Sequence, residues 1–417
     1  MAVQENIRPD YTQKTLQGLK ADRTVVRLTF NKSEAKENET LQVTIPKLHK
    51  NELIKPNCFK LLADVDLSEG DENNFLVNNF GRAVVSMLTV KFGGQLLNQI
   101  MGYDIYKIYE DLYLPRMKRS NMIEQGVQSV DLNKIRSNSA DKKTSGVDTE
   151  NKLNAVYGSK YCIPIDHPIL SQNGAFYPHF LRDELLFEIT LAQAAHVVKG
   201  PDQSKLTYTL KNIQLQYEII KSRELAEIAE YEYKSGKEFI FDHIDRFKNE
   251  EFDLSDKGLL NFSVNVMKNS LKAVLLLFIK PYGAGQRESE KFFNPDITKV
   301  RVSMNGSPNK IYNFGLERRD AWEEMQRYFM EKNGDVVEMS PDMFYAGDRY
   351  GLLIDLRSMP SPDLHSTGKK FINNTNNNLY LKIEREKNGS GKCVCHMFLL
   401  SDAQMDIQDS RILNISN

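Results

Sequence analysis

The sequence predicts an all-β chain with a few short helices, built as two tandem antiparallel β-barrels. Three observations carry this. Residues Val84–Leu114 read as strand, Gly turn, strand and amphipathic helix, and Ile297–Met330 repeat that plan. The pair Leu185–Leu191 and Leu210–Tyr217 is echoed by Leu379–Glu384 and Leu400–Ile407. The offsets, about 190 and about 210 residues, are far longer than a solenoid repeat and suit two similar domains. Many short strands with no βαβ rhythm exclude a parallel sheet and leave an antiparallel sandwich or jelly roll in each half.

Taken in order, residues 1–22 are polar, with Pro9, and read as a flexible N-terminal arm. Val26, Leu28 and Phe30 share one face, as do Leu41, Val43 and Ile45, and then Phe59, Leu61, Ala63 and Val65. That period of two marks half-buried strands. Residues 116–155, rich in Ser, Asn, Lys and Asp, read as a surface excursion from the first barrel. The charged stretch Lys221–Lys237 is expected to bound the domains, giving 23–222 and 223–417. Alternation resumes at Phe262, Val264 and Val266, and Ala273–Ile279 reads as a buried strand. Two helices are predicted. One carries Ile105, Ile108, Tyr109 and Leu112 behind Asp104 as N-cap; the other carries Trp322, Met325 and Phe329 behind Asp320. Each is expected to seal one side of its barrel, with Trp322 buried at a gain of about 2–3 kcal/mol.

Composition excludes several function classes. With 55 basic and 56 acidic residues, the net charge of −1 provides no global field toward nucleic acid or an anionic membrane. The longest apolar run is seven residues, far short of a membrane helix, and the first residues lack the apolar core of a signal peptide. Four cysteines in 417 residues are no disulfide framework, so a reducing environment and assembly inside a cell are expected.

Catalytic, cofactor and metal sites are all predicted to be absent. No His-x-His or His-Glu-x-x-His arrangement occurs among the seven histidines. Cys393, Cys395 and His396 are adjacent, but on a strand the cysteines face one side and the histidine the other. They read as small hydrophobes packing a strand. Gly283 and Gly285 lack the third glycine of a dinucleotide loop and read as a turn. Asp355, Asp363 and His365 can be drawn as an acid–base group, yet a Ser/Pro/Asp-rich loop brings such residues together routinely. Arg116, Lys118 and Arg119 complement a helix C-terminus, with contact to an acidic neighbour or packaged nucleic acid as the sharper alternative. Tyr103, Tyr106, Tyr109 and Tyr113 are spaced for packing more than for base stacking.

The run Leu353–Gln404, with LIDLRSMPSPDLHSTGKKFINNT, LYLKIER and CHMFLLSDAQM, resembles the double jelly-roll major capsid proteins of Polinton (Maverick) elements and adintovirus-like DNA viruses. Asn73–Leu76, Val90–Gly94 and the Tyr103–Leu114 helix match the family's first barrel. Ile311-Tyr312, Gly315-Leu316 and Asp320–Glu324 match its second. The resemblance implies two tandem antiparallel jelly-roll β-barrels (a double jelly roll) and a structural capsid protein with no active site and no cofactor. It implies homotrimers that form pseudo-hexagonal capsomers of an icosahedral virion shell around a DNA genome. Partners are then neighbouring trimers and a minor single jelly-roll penton protein. Packaged DNA is met only indirectly, and nothing in the sequence indicates an internal membrane. The competing classes are a tandem jelly-roll carbohydrate-binding or host-attachment protein and an enzyme on a β-sandwich. The first lacks an acidic loop set for calcium, and the second lacks ligand motifs.

Overall fold

Alternating burial sets the strands of the first half. In Thr40–Ile45 the residues Leu41, Val43 and Ile45 point inward while Thr40, Gln42 and Thr44 face solvent. Leu61, Ala63 and Val65 do the same in Lys60–Asp66, as do Leu185, Phe187, Ile189 and Leu191 in Leu185–Leu191. A half-buried strand of period two needs a second sheet to cover its apolar face. The covering contact here is aromatic: Phe59 packs on Phe187 of one sheet at 5.0 Å and on Tyr217 of the other at 5.7 Å.

The computed structural model describes residues 21–71, 74–115, 118–119, 121–127, 160–171, 184–255, 258–280, 288–304, 307–333, 339–360, 364–371, 378–387, 389–408 and 411–416. The expected N-terminal arm up to residue 20, most of the expected 116–155 excursion, Gly283, Gly285 and Asp363 lie outside the described residues.

Eight principal strands build the first barrel: β1 (Asp22–Thr29), β2 (Thr40–Ile45), β3 (Lys60–Asp66), β4 (Val85–Phe92), β5 (Gln95–Met101), β6 (Lys160–Pro164), β7 (Leu185–Leu191) and β8 (Thr209–Lys221). Eight more build the second: β9 (Lys237–Asp253), β10 (Gly258–Val264), β11 (Lys268–Ile279), β12 (Ile297–Met304), β13 (Ser307–Pro308), β14 (Gly351–Asp355), β15 (Leu379–Arg385) and β16 (Lys392–Gln408). The first half has sheets in the orders β1-β8-β3-β6 and β2-β7-β4-β5. The second has β9-β16-β11-β14 and β10-β15-β12-β13. Each strand of the first half thus has its counterpart eight strands later. All of these pairings are antiparallel, and each half is a jelly roll. The duplicated segments of the sequence are β4–β5 plus its helix, repeated at β12–β13, and the closing strands β7 and β8, repeated at β15 and β16.

The β4–β5 hairpin closes through Gly93 and Gly94, both at positive φ (55° and 80°), with Phe92 facing Gln95. Two left-handed residues in a two-residue loop match the twist of the flanking strands, which only glycine or a small polar residue supplies cheaply.

Three longer helices join these strands: α1 (Tyr103–Asp111), α2 (Arg223–Ser235) and α3 (Asp320–Asn333). Three expectations about them need correction. First, Asp104 does not cap α1: Gly102 at φ 68° holds the N-cap position, and Asp104 is buried in the first turn. A side chain at residue 102 would meet Arg246 and Phe398 of the second barrel, so the close approach selects glycine. Second, the charged stretch after Lys221 is a helix. Ala226, Ala229 and Tyr233 of α2 are buried, while its acidic and basic residues pair along its outer face, as in Arg223–Glu227 at 2.7 Å. Third, Asp320 is the first residue of α3, its carboxylate accepting the Glu317 N–H at 2.9 Å. On α3, Met325 and Phe329 are buried as expected, but Trp322 is only partly buried, with its Nε1 donating to the Met339 carbonyl at 3.0 Å.

The helix α1 does more than seal its own barrel. Every one of its residues is buried, because its second face lies against the other jelly roll. Tyr106 meets Phe398 at 5.8 Å, Tyr109 meets Phe292 edge-on at 4.8 Å, and Tyr113 stacks on Phe329 at 4.4 Å. Gly351 opens β14 beneath this contact, where a Cβ would lie 2.3 Å from the Tyr109 hydroxyl. In β11 the residues Leu271–Phe278 are all buried instead of alternating.

Truncating Phe329 to Ala is expected to cost about 3–5 kcal/mol in denaturant unfolding. A double-mutant cycle with Tyr113→Ala should return a coupling of about 1 kcal/mol. Trp322→Ala, at a partly buried ring, is expected to cost about 2 kcal/mol by the same measurement, below the cost of a fully buried ring.

Candidate functional site

The residues flagged in the sequence do not assemble into one reactive centre among the described residues. Cys393 and Cys395 sit on the inward side of β16, opposite Phe252 and Glu250 of β9, and burial pushes the Cys393 thiol up to about 12. A thiol so far from ionisation is neither nucleophile nor ready ligand. His396 turns to the other face, its Nδ1 2.9 Å from Asn249 Oδ1. Asp355 is taken up by Arg357 in a two-pronged pair, Nε to Oδ1 at 3.0 Å and Nη2 to Oδ2 at 2.7 Å. That guanidinium also lies 4.9 Å from the Tyr328 ring centre. His365 bonds elsewhere, to Asp402, so the pairing of Asp355 with His365 is not formed.

Of the basic cluster, Arg119 is no solvated helix end. It pairs with Glu290 of the second barrel, which also accepts from Asn79 at 2.7 Å. Lys118 is exposed, and Arg116 lies outside the described residues. The four tyrosines of the α1 segment are all buried, and Tyr106, Tyr109 and Tyr113 line the seam between barrels, where no nucleobase can reach them.

Sequence reading missed a buried polar cluster in the second barrel. Asp242 of β9 and Asp402 of β16 stand directly opposite one another across the ladder. Like charges so placed repel. Lys272 of β11 resolves the conflict: it pairs with Asp242 and, at 2.9 Å, with Asp402 Oδ1. The register of β11 on β16 shifts between Leu271 and Ala273, so Lys272 is the extra residue of a bulge. Bulges re-aim side chains. Asp402 also accepts from Ser270 Oγ (2.6 Å) and the Ser366 amide (2.9 Å), and His365 Nδ1 lies 3.0 Å from it.

Asp242, His365 and Asp402 bring one donor atom each within 4.8 Å of one another, the spacing of a metal triad. The ammonium of Lys272 already fills the focus of the two carboxylates, which makes the cluster an anchor. It ties the segment carrying His365 and Ser366 onto β16. Despite the cost of burial, these partners hold the Asp402 carboxyl at about 2 and the Lys272 ammonium up at about 12. A signal existed in the single Lys of the apolar run LKAVLLLF, but its meaning depends on knowing which strands pair.

A shallow depression on the second barrel is lined by Thr298, Lys299, Glu317, Arg318, Arg319 and Glu384. Two of its charges are satisfied locally, Arg318 by Asp296 at 2.7 Å and Glu384 by Arg301 at 3.2 Å.

No family model and no curated protein matches the sequence. Solved structures do match in shape. A structure of the PBCV-1 virus capsid aligns with TM-score 0.63 at 10% identity, covering 97% of this chain and 99% of its own. The Sputnik virophage structure aligns with TM-score 0.60 at 11% identity, covering 100% and 92%. The mavirus major capsid protein aligns with TM-score 0.52 at 9% identity, covering 94% and 89%. The fold is that of the double jelly-roll capsid proteins. At these identities the likeness is one of fold, and it spans both barrels of each.

Lys272→Met leaves two facing carboxylates without their cation and is expected to cost about 3–5 kcal/mol in denaturant unfolding. The folded pKa of Asp402 lies below its ordinary 3.8, so its contribution is present above that value and fades as pH falls toward about 2. Full loss amounts to about 2 kcal/mol. Asp402→Asn should flatten the acid limb of the stability profile in that range.

Proposed function

We propose that the chain is a viral major capsid protein, a structural unit and not an enzyme, located in the virion shell. The observation that carries this reading is the strand-for-strand repetition of one jelly roll by the other within a single chain. Two like barrels per chain make a threefold ring of three chains a ring of six similar barrels. Such a tile covers a surface while repeating one head-to-tail contact around a closed circle. Full-length structural likeness to viral capsid chains supports the same reading. So does a balanced net charge, which avoids repulsion between densely packed neighbours.

In this proposal the chain divides into an arm (1–22), a first jelly roll (23–222) and a second (223–417). The homotrimer is a pseudo-hexagonal capsomer of an icosahedral DNA-virus shell, of the Polinton or adintovirus kind. A single jelly-roll penton protein fills its vertices. The first barrel of one subunit meets the second barrel of the next, and the arm links neighbouring trimers at the inner face.

Light scattering coupled to size exclusion is expected to return a stable trimer, and electron micrographs of concentrated material should show shells or sheets of hexagonal tiles. A monomer that binds glycans would replace the capsid reading with an attachment protein. Removing residues 1–22 should leave trimers intact and impair shells.

A further inference from the structure

The seam within the chain has a direction. The first barrel presents β5 and α1, and the second receives them on β9 and β16. Gly102, between β5 and α1, lies against Arg246 of β9 and Phe398 of β16. On the receiving side, residues 397–403 of β16 are buried without alternation, and Phe239, Phe241, His243 and Ile244 of β9 are buried too.

Because one barrel repeats the other strand for strand, each side of this seam has a counterpart that the chain does not use. The receiving strands β9 and β16 correspond to β1 and β8. None of the eight residues of β1 is buried, and β8 alternates plainly from Ile213 to Ile220. The outer face of β1 carries Val25, 51% exposed, between Arg23 and Arg27. Both arginines are steadied by β8, Arg23 by the Glu218 carboxylate and Arg27 by Gln216 Oε1 at 3.0 Å.

The presenting strand β5 corresponds to β13 together with the short strand Leu316–Glu317, both of which pair with β12. Between them the chain makes an excursion, 309–315, at that same sheet edge. Phe314 on it is 88% exposed, more than any other large apolar side chain among the described residues, and Ile311 is exposed beside it. The excursion is pinned. The Tyr312 hydroxyl accepts the Asp355 amide at 2.8 Å, the Tyr312 carbonyl accepts the Gly315 amide at 2.9 Å, and Asn309 Oδ1 accepts the Ile311 amide at 2.8 Å. An aromatic ring on a loop already held in place loses little freedom on docking.

We propose, building on the ring of barrels inferred above, that the contact between subunits copies the seam within the chain. The 309–315 excursion of one copy docks on the outer face of β1 and β8 of the next, with Phe314 seated on Val25 between the two guanidinium groups. Apolar contact with Val25 and the attraction of Arg23 and Arg27 for a ring face recognise the aromatic side chain. The two surfaces lie on different barrels, so the contact is head-to-tail and closes as a ring.

Light scattering coupled to size exclusion on the full chain tests this. Phe314→Asp and Val25→Asp should each raise the concentration at which trimers fall apart by at least about 30-fold, the loss expected for an interface anchor. Tyr231→Asp, at another exposed ring on α2, should leave it unchanged. Mixed in equal amounts, the Phe314 and Val25 variants should form mixed dimers, because each keeps the surface that the other has lost. A contact between identical faces would give none. Circular dichroism checks that each variant is folded, and where one is not, the milder Phe314→Ser and Val25→Thr decide by the same readout. Trimers of unchanged stability in these variants overturn the proposed contact and leave the capsid reading standing. An unaltered chain that stays monomeric at every concentration overturns both.

Discussion

The seam around α1 is the contact on which the arrangement of the two barrels depends. By sequence α1 is amphipathic, with Ile105, Ile108 and Tyr109 on one stripe and Asp104, Lys107, Glu110 and Asp111 elsewhere. A helix on the outside of a barrel would keep that polar face in water. Here the polar face is buried as well. The two jelly rolls therefore do not behave as beads on a linker. Tyr106, Tyr109 and Tyr113 reach aromatic partners on β16, the β11–β12 connection and α3, and remove a large apolar area from water.

Burying that polar face creates an electrostatic problem, and the structure solves it with closed pairings. Arg82 links Asp111 to Asp166, Lys107 takes Glu110, and Arg119 reaches across to Glu290. The cluster around Lys272 obeys the same rule inside the second barrel. Buried pairs of this kind add little net stability, but removing one member strands a charge and is costly. They thus fix register and orientation more than they raise stability. For a unit whose proposed task is to present fixed surfaces to neighbours, orientation of the barrels is the property that matters.

The jelly-roll halves were legible because strand alternation and turn chemistry are local. Leu41, Val43 and Ile45 declare their inward face, and Gly93-Gly94 declares its turn, without reference to the rest of the chain. The duplication was legible for the same reason: equal folds impose equal local patterns, and β7–β8 and β15–β16 carry them. Asp104 as N-cap failed because the close passage of Arg246 and Phe398 demanded glycine at 102. Trp322 lies shallower than its stripe implies, because a helical stripe gives a direction, while the depth of burial depends on what lies across from it. The α2 helix is hard to read from sequence because its charges outnumber the residues that hold it down, among them Ala226, Ala229 and Tyr233.

The sequence by itself determined the class of the fold, its duplication and the identity of most core residues, since these follow from periodicity within a few residues of chain. Tertiary structure alone decided which charges meet. Asp242 and Asp402 are 160 positions apart and become neighbours only through the β9–β16 ladder, and Lys272 joins them only through a bulge. It likewise decided that α1 lies between two barrels and not on the outside of one, and that Asp355 and His365 go to separate partners. Hydrophobic patterning is written along the chain, whereas pairing of buried charges is a property of the space between strands.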